Sequence, residues 1–128
     1  MTVKQILIKK EVVESILIDA KNAYPREGIL LLRGKARKDH ILINDSITPF
    51  LPSHGLNFSS FPIYMLPLDL TVMGTAHSHP SGNVSPSVGD LNHFYGRIMA
   101  ITAYPYASEK DIVFYDKDGK ILKFEVIP

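Results

Sequence analysis

The stretch His77-Ser78-His79-Pro80-Ser81-Gly82-Asn83-Val84-Ser85-Pro86-Ser87-Val88-Gly89-Asp90 is the most informative part of this chain. It follows Val72-Met73-Gly74-Thr75-Ala76, the small, apolar centre of a strand predicted over 70–79. Alternate residues of a strand share a face, so the imidazoles of His77 and His79 are able to reach one point. A helix is predicted from about Ser87 to Tyr95, with Ser85 as its N-cap and Pro86 at its first position, where the missing donor costs nothing. Asp90 then lies in the first turn. If that turn packs against the strand end, the carboxylate completes a set of two histidines and one carboxylate. Three protein ligands with an open fourth position is the pattern of catalytic zinc. The same donors also suit other divalent metals.

The individual pieces are common. Two histidines two apart occur by chance, and Ser87-x-x-Asp90 alone is a capping-box pattern that opens many helices. The specificity lies in the combination: a strand ending in His-x-His, seven loop residues, then Ser-x-x-Asp opening a helix.

Outward from this stretch, helices alternate with strands. Lys4 to Ile8 reads as a short edge strand. Glu11 to Tyr24 reads as an amphipathic helix, with Val12, Val13, Ile16, Leu17, Ala20 and Tyr24 on one stripe. Glu14, Asp19, Lys21 and Asn22 face away from that stripe. Pro25 ends the helix, because a residue before proline is pushed out of the helical region. Gly28 to Gly34 contains Ile29-Leu30-Leu31-Leu32, a strand apolar enough to be buried on both faces. A charged turn over 35–40 leads to a strand at Ile41 to Ile43. The Pro-, Ser- and Gly-rich segment 51–67 reads as a loop holding one strand near Asn57–Tyr64. Arg97 to Tyr104 is another buried strand. Asp111 to Tyr115 and Lys120 to Val126 form a hairpin across Lys117-Asp118-Gly119. The expected fold class is α/β or α+β with a mixed sheet.

The chain of 128 residues has a formal net charge of +1, 45% apolar and 21% charged residues, the balance of a globular protein. Its length suits one domain spanning 1–128. Without cysteine there is no disulfide framework, thiolate metal site or cysteine nucleophile. The near-neutral charge speaks against nucleic acid as a partner. The N-terminus has charges at Lys4, Lys9, Lys10, Glu11 and Glu14 and does not read as a targeting segment. No apolar run approaches the ~20 residues needed to span a bilayer, so a cytoplasmic location is expected. The oligomeric state is open. Exposed sheet edges and the first helix are both able to mediate a dimer, and no heptad pattern decides it.

In spacing and type, His77-x-His79-x7-Ser87-x2-Asp90 resembles the JAMM motif of MPN-domain metalloproteases. Pro25-Arg26-Glu27-Gly28, followed by Ile29-Leu30-Leu31-Leu32, is similar to that family's upstream glutamate element. The resemblance covers about one complete minimal domain of the compact prokaryotic type. It implies an MPN/JAMM fold, a curved mixed sheet flanked by helices and similar to the cytidine deaminase fold. It implies that His77, His79 and Asp90 bind one zinc ion per chain, that Glu27 is the general base, and that Ser87 helps hold the oxyanion. It implies a metallopeptidase, deubiquitinase-like, that hydrolyses the amide or isopeptide bond after the C-terminal glycine of a ubiquitin-like protein. An extended substrate tail suits pairing with a sheet edge, for which Asn57–Tyr64 is the candidate.

Other readings are open. A metallohydrolase acting on a small amide or a sulfur-carrier conjugate would use the same residues. A non-catalytic MPN scaffold is disfavoured, because such members usually lack one or more ligands. A two-histidine, one-carboxylate iron oxygenase leaves Glu27 and Ser87 without roles. A zinc base deaminase is excluded by the missing cysteines. Ser78, between the ligands and facing away from them, reads as structural. His40, His54 and His93 are not assigned to the metal.

Overall fold

A computed structural model describes residues 5–49, 69–92 and 94–128. The expected strand at Asn57–Tyr64, His54 and His93 lie outside them. The described elements are β1 (Ile6–Lys9), α1 (Lys10–Ala23), β2 (Ile29–Ala36), β3 (Ile41–Ile47), β4 (Val72–His79), α2 (Val88–Asn92), β5 (Ile98–Ala103), β6 (Ile112–Tyr115), β7 (Ile121–Leu122) and β8 (Phe124–Ile127), with a short 3₁₀ turn at Glu109–Asp111.

The strands form one sheet in the order β7-β6-β5-β4-β2-β3-β1-β8. It is mixed, as expected: β1 runs parallel to β3 and β8, and β4 parallel to β5, while the remaining pairs are antiparallel. Only Lys123 separates β7 from β8, yet these two strands sit at opposite ends of the strand order. The sheet therefore curls until its edges approach, giving a nearly barrel-shaped wall. The expected second hairpin arm, 120–126, is thus split. Its first half pairs with β6 and its second half joins β1. The same closure corrects the expectation for the N-terminal strand. β1 is an internal strand between β3 and β8, with Ile6 and Ile8 fully buried, and not an edge.

Helix α1 lies against the sheet through Val12, Val13 and Ile16, which join Leu30, Leu32, Ala76 and Phe114 in the main core, and Ala20 on the same helix is also buried. Tyr24 leaves the helix in an extended conformation before Pro25, as the pre-proline restriction requires. It does not belong to the buried stripe: it is 46% exposed and stacks on Tyr104 with ring centres 4.8 Å apart. Asp19 does not face away either. Its carboxylate rests against Gly28, where an added Cβ would come within 2.5 Å of Asp19 Oδ2. Glycine at 28 thus lets the end of α1 close onto the start of β2, which sets the place of Glu27.

The second helix is shorter than predicted, five residues over Val88–Asn92. Its N-cap is Ser87 and not Ser85, because the Ser87 hydroxyl accepts the Asp90 backbone N–H at 3.0 Å. Gly74, the smallest residue of β4, has the β5 backbone at Ile98 where a side chain would stand. This close approach brings β4 tightly beside β5.

Candidate metal centre

β4 is buried from Val72 to Ser78 and emerges at His79. His77 and His79 lie on one face of the strand, and their Nε2 atoms are 3.2 Å apart. Asp90 arrives from the first turn of α2. Its Oδ1 is 3.3 Å from His77 Nε2 and its Oδ2 is 3.2 Å from His79 Nε2. His77 and Asp90 are each 2% exposed, while His79 is half-buried at the mouth. The three side chains form a group able to hold a metal ion. Ligand atoms about 2.0–2.1 Å from a tetrahedral zinc are about 3.3 Å from one another. The two imidazole nitrogens are separated by about that edge, Asp90 turns one oxygen to each of them, and one donor atom from each residue lies within 4.8 Å of the others; two imidazole nitrogens and a carboxylate are a zinc set without thiolate. The residues therefore fit the metal.

The surroundings orient these donors. His79 Nδ1 faces the Asn83 carbonyl at 2.7 Å and donates to it, which leaves Nε2 with its lone pair towards the group. Burial pushes the His77 imidazole below its ordinary pKa, against the pull of Asp90, and so favours the neutral ring that a metal needs. For His79 burial acts in the same direction. It is outweighed by the Asp90 hydrogen bond, the Asn83 carbonyl and the charges of Asp90 and Glu27, so its pKa is raised. Burial alone would lift the Asp90 carboxyl. Hydrogen bonds to His77, His79 and the Ser87 N–H reverse this and hold it far below the usual range.

Glu27 lies on the turn between α1 and β2. Its Oε1 is 4.0 Å from His79 Nε2, and its side chain is 23% exposed. Burial raises its pKa; His79 opposes this and Asp90 adds to it. A carboxylate in this setting is a stronger base than one in water. Ser87 is exposed and tied to Asp90 in both directions, its N–H donating to Asp90 Oδ2 at 2.8 Å. All five candidate residues from the sequence are thus brought to one place.

Sequence reasoning missed two supports, the Asn83 carbonyl and Tyr115, and read a third, Ser78, as structural without its partner. Ser78 points away from the ligands and accepts the Gly28 N–H at 2.7 Å, while its own N–H donates to the Gly28 carbonyl at 3.2 Å. It pins the residue next to Glu27 to the strand that carries the histidines. The alternation of β4 is the signal that pointed to a different role for this side chain. Asn83 acts through its backbone and Tyr115 binds the same loop from β6; neither leaves a mark in the sequence.

Residues 9–118 match the family described as prokaryotic homologs of the JAB domain. A protein of Haloferax volcanii described as a probable metalloprotease is 27% identical, over 94% of this chain and 78% of its own length. A solved structure described as a JAMM metalloprotease-like zinc site in the proteasome and signalosome shares 32% identity, with a TM-score of 0.67, over 99% of this chain and 100% of that one. The crystal structure of a JAB1/MPN domain protein from Archaeoglobus fulgidus shares 33% identity, with a TM-score of 0.70, over 94% of this chain and 98% of that one. These likenesses, together with the His77, His79 and Asp90 group, support zinc binding and a metalloprotease. Among the described residues no helix is long and apolar enough to cross a membrane. With a family match over most of its length, neighbours sharing its fold and a ligand group where its motif predicted one, the chain belongs to the JAMM/MPN family, among the prokaryotic homologs of the JAB domain.

Proposed function

We propose that this chain is a zinc-dependent metallopeptidase of the isopeptidase type. It acts in the cytoplasm on the amide bond after the C-terminal glycine of a ubiquitin-like protein or its conjugate. In this reading residues 1–128 form one domain, and His77, His79 and Asp90 hold one zinc ion per chain. The observation that carries the reading is the 4.0 Å separation of Glu27 Oε1 from His79 Nε2, across 52 positions of sequence (79 − 27). A ligand group alone would serve a structural metal; a basic carboxylate beside it serves hydrolysis.

Zinc supplies a Lewis acid for the scissile carbonyl and an acidified water. Glu27 takes the proton of the attacking water and returns it to the departing amine, a role worth about 10²–10⁴ in rate. Ser87 accepts from the Asp90 N–H, and among the described residues its hydroxyl donates no hydrogen bond, so it is available to the developing oxyanion. One such donor contributes about 10²–10³. Burial keeps His77 neutral and its hydrogen bonds keep Asp90 ionised, while His79, whose pKa is raised by Asp90, Asn83 and Glu27, gives up its Nε2 proton when it takes the metal. The complete ligand set argues against a non-catalytic scaffold.

The test is hydrolysis of fluorogenic amides on the C-termini of a panel of ubiquitin-like proteins. Cleavage of at least one tail, lost with chelator and restored by zinc, is expected. Protein that retains no zinc overturns the peptidase reading. Zinc-loaded protein that cleaves a small amide as fast as any protein tail moves the substrate to the small-amide class.

A further inference from the structure

Tyr115 lies on β6, three strands away from β2 and its Glu27 turn in the sheet order, yet it reaches the metal centre by two routes. Its hydroxyl donates to the Val84 carbonyl at 2.7 Å. Val84 follows Asn83, whose carbonyl accepts the His79 Nδ1–H. Loop 80–86 is mostly exposed and rich in Pro, Ser, Gly and Asn. Among the described residues, the hydrogen bonds that leave it run to His79 and to Tyr115; the others, Asn83 N–H to Ser81 Oγ and Ser85 N–H to Asn83 Oδ1, stay inside it. The Tyr115 hydroxyl therefore ties this loop to the rigid sheet. The Tyr115 ring, 4% exposed, belongs to the cluster of Ile29, Met99 and Ile101, against which Leu91 packs. Leu91 is the neighbour of Asp90.

We propose that Tyr115 is a positioning residue for the metal centre, bracing His79 through loop 80–86 with its hydroxyl and Asp90 through Leu91 with its ring. The physical basis is the fixing of a ligand's far nitrogen. A histidine whose Nδ1–H is held by a carbonyl presents Nε2 in one tautomer and one orientation, and loss of such support typically weakens metal binding about 10–100-fold. Here the supporting carbonyl sits on a loop with little packing of its own, so its place depends on what anchors the loop.

This inference rests on the metal reading above, and its experiment separates the two. Zinc affinity is measured by chelator competition for the wild type, Tyr115→Phe, Leu91→Ala and the remote core control Ile41→Val. Tyr115→Phe keeps the ring and removes one hydrogen bond, a change of a few degrees in melting temperature. The expected result is a zinc dissociation constant raised about 10-fold or more in Tyr115→Phe and raised in Leu91→Ala. Ile41→Val, with a similar loss of melting temperature, is expected to bind zinc as the wild type does. Equal zinc affinity in Tyr115→Phe and wild type overturns the proposal and leaves the metal centre standing. A wild type that binds no zinc overturns the metal reading and this inference with it. A matching loss of affinity in Ile41→Val reduces Tyr115 to a stability effect and also overturns the proposal.

Discussion

Ser87 and Asp90 cap one another: the Ser87 N–H donates to Asp90 Oδ2 at 2.8 Å, and the Asp90 N–H donates to Ser87 Oγ at 3.0 Å. The pair is a capping box and also part of the site, so local helix chemistry and ligand placement are one arrangement here. Replacing the serine separates its tasks. Ser87→Ala is expected to lower stability by about 1 kcal/mol through the lost cap. It should lower kcat about 10²–10³-fold through the lost donor. Zinc content should stay near that of the wild type, because the backbone N–H of residue 87 still holds Asp90. Zinc loss with unchanged kcat per bound metal would show that the cap is the whole of its role.

Glu27 and Ser78 form a second testable pair. Glu27→Gln keeps shape and loses the base, so turnover should fall at least about 10²-fold while zinc stays bound. Ser78→Ala strips the buried Gly28 N–H of its acceptor, a cost of about 1–3 kcal/mol. It should also reduce kcat with intact zinc, since the turn carrying Glu27 loses its tie to β4. Elemental analysis and steady-state kinetics on the same samples decide both; full activity in Glu27→Gln removes the proposed base.

Asp19 gives a pH dependence of known sign. Burial against Gly28 raises its pKa from 3.8 to about 6. Between those values the folded protein keeps a proton that the unfolded chain has released. Stability therefore falls as pH rises through this window, and the penalty is complete above about pH 6. Discounted for its partial exposure, the penalty is about 1–2 kcal/mol. Asp19→Asn should raise the melting temperature by a few degrees at about pH 7.5 and leave it unchanged at about pH 4. An equal gain at both pH values would assign the effect to packing instead.

Metal removal should be visible without any substrate. The ligands join β4 to α2, two elements whose packing zinc would reinforce, so a metal that binds only the folded state adds stability by mass action. Free zinc at 100 times its dissociation constant should add about 2.7 kcal/mol, read as a rise in melting temperature that a chelator reverses. His77→Ala should abolish that rise. A melting temperature indifferent to zinc in the wild type would count against the centre.

The ligand motif was legible because its geometry is short-range. Alternation along β4 put His77 and His79 on one face, and a capping pattern put Asp90 in the first turn of α2. The buried stripe of α1 was legible for the same reason, since a helix repeats within a few residues. Glu27 was reached through family likeness and not through its own surroundings, because a glutamate after a proline looks the same on any surface. Tyr24 and Asp19 were misplaced by a helical wheel, which counts faces but does not know where the sheet ends or where a glycine opens a gap.

Local periodicity in this chain specified the elements and the type of metal ligands, since both depend on neighbours a few residues apart. Long-range packing settled the rest. Closure of the sheet turned the first strand from an edge into an interior one and split the last hairpin arm across two borders. The approach of α1 to β2 over Gly28, and the Ser78 bond to that glycine, brought Glu27 to the histidines. The reach of Tyr115 to Val84 anchored the loop behind His79. Each of these contacts joins residues separated by many positions, and chain periodicity carries no record of such pairs until the backbone has folded back on itself.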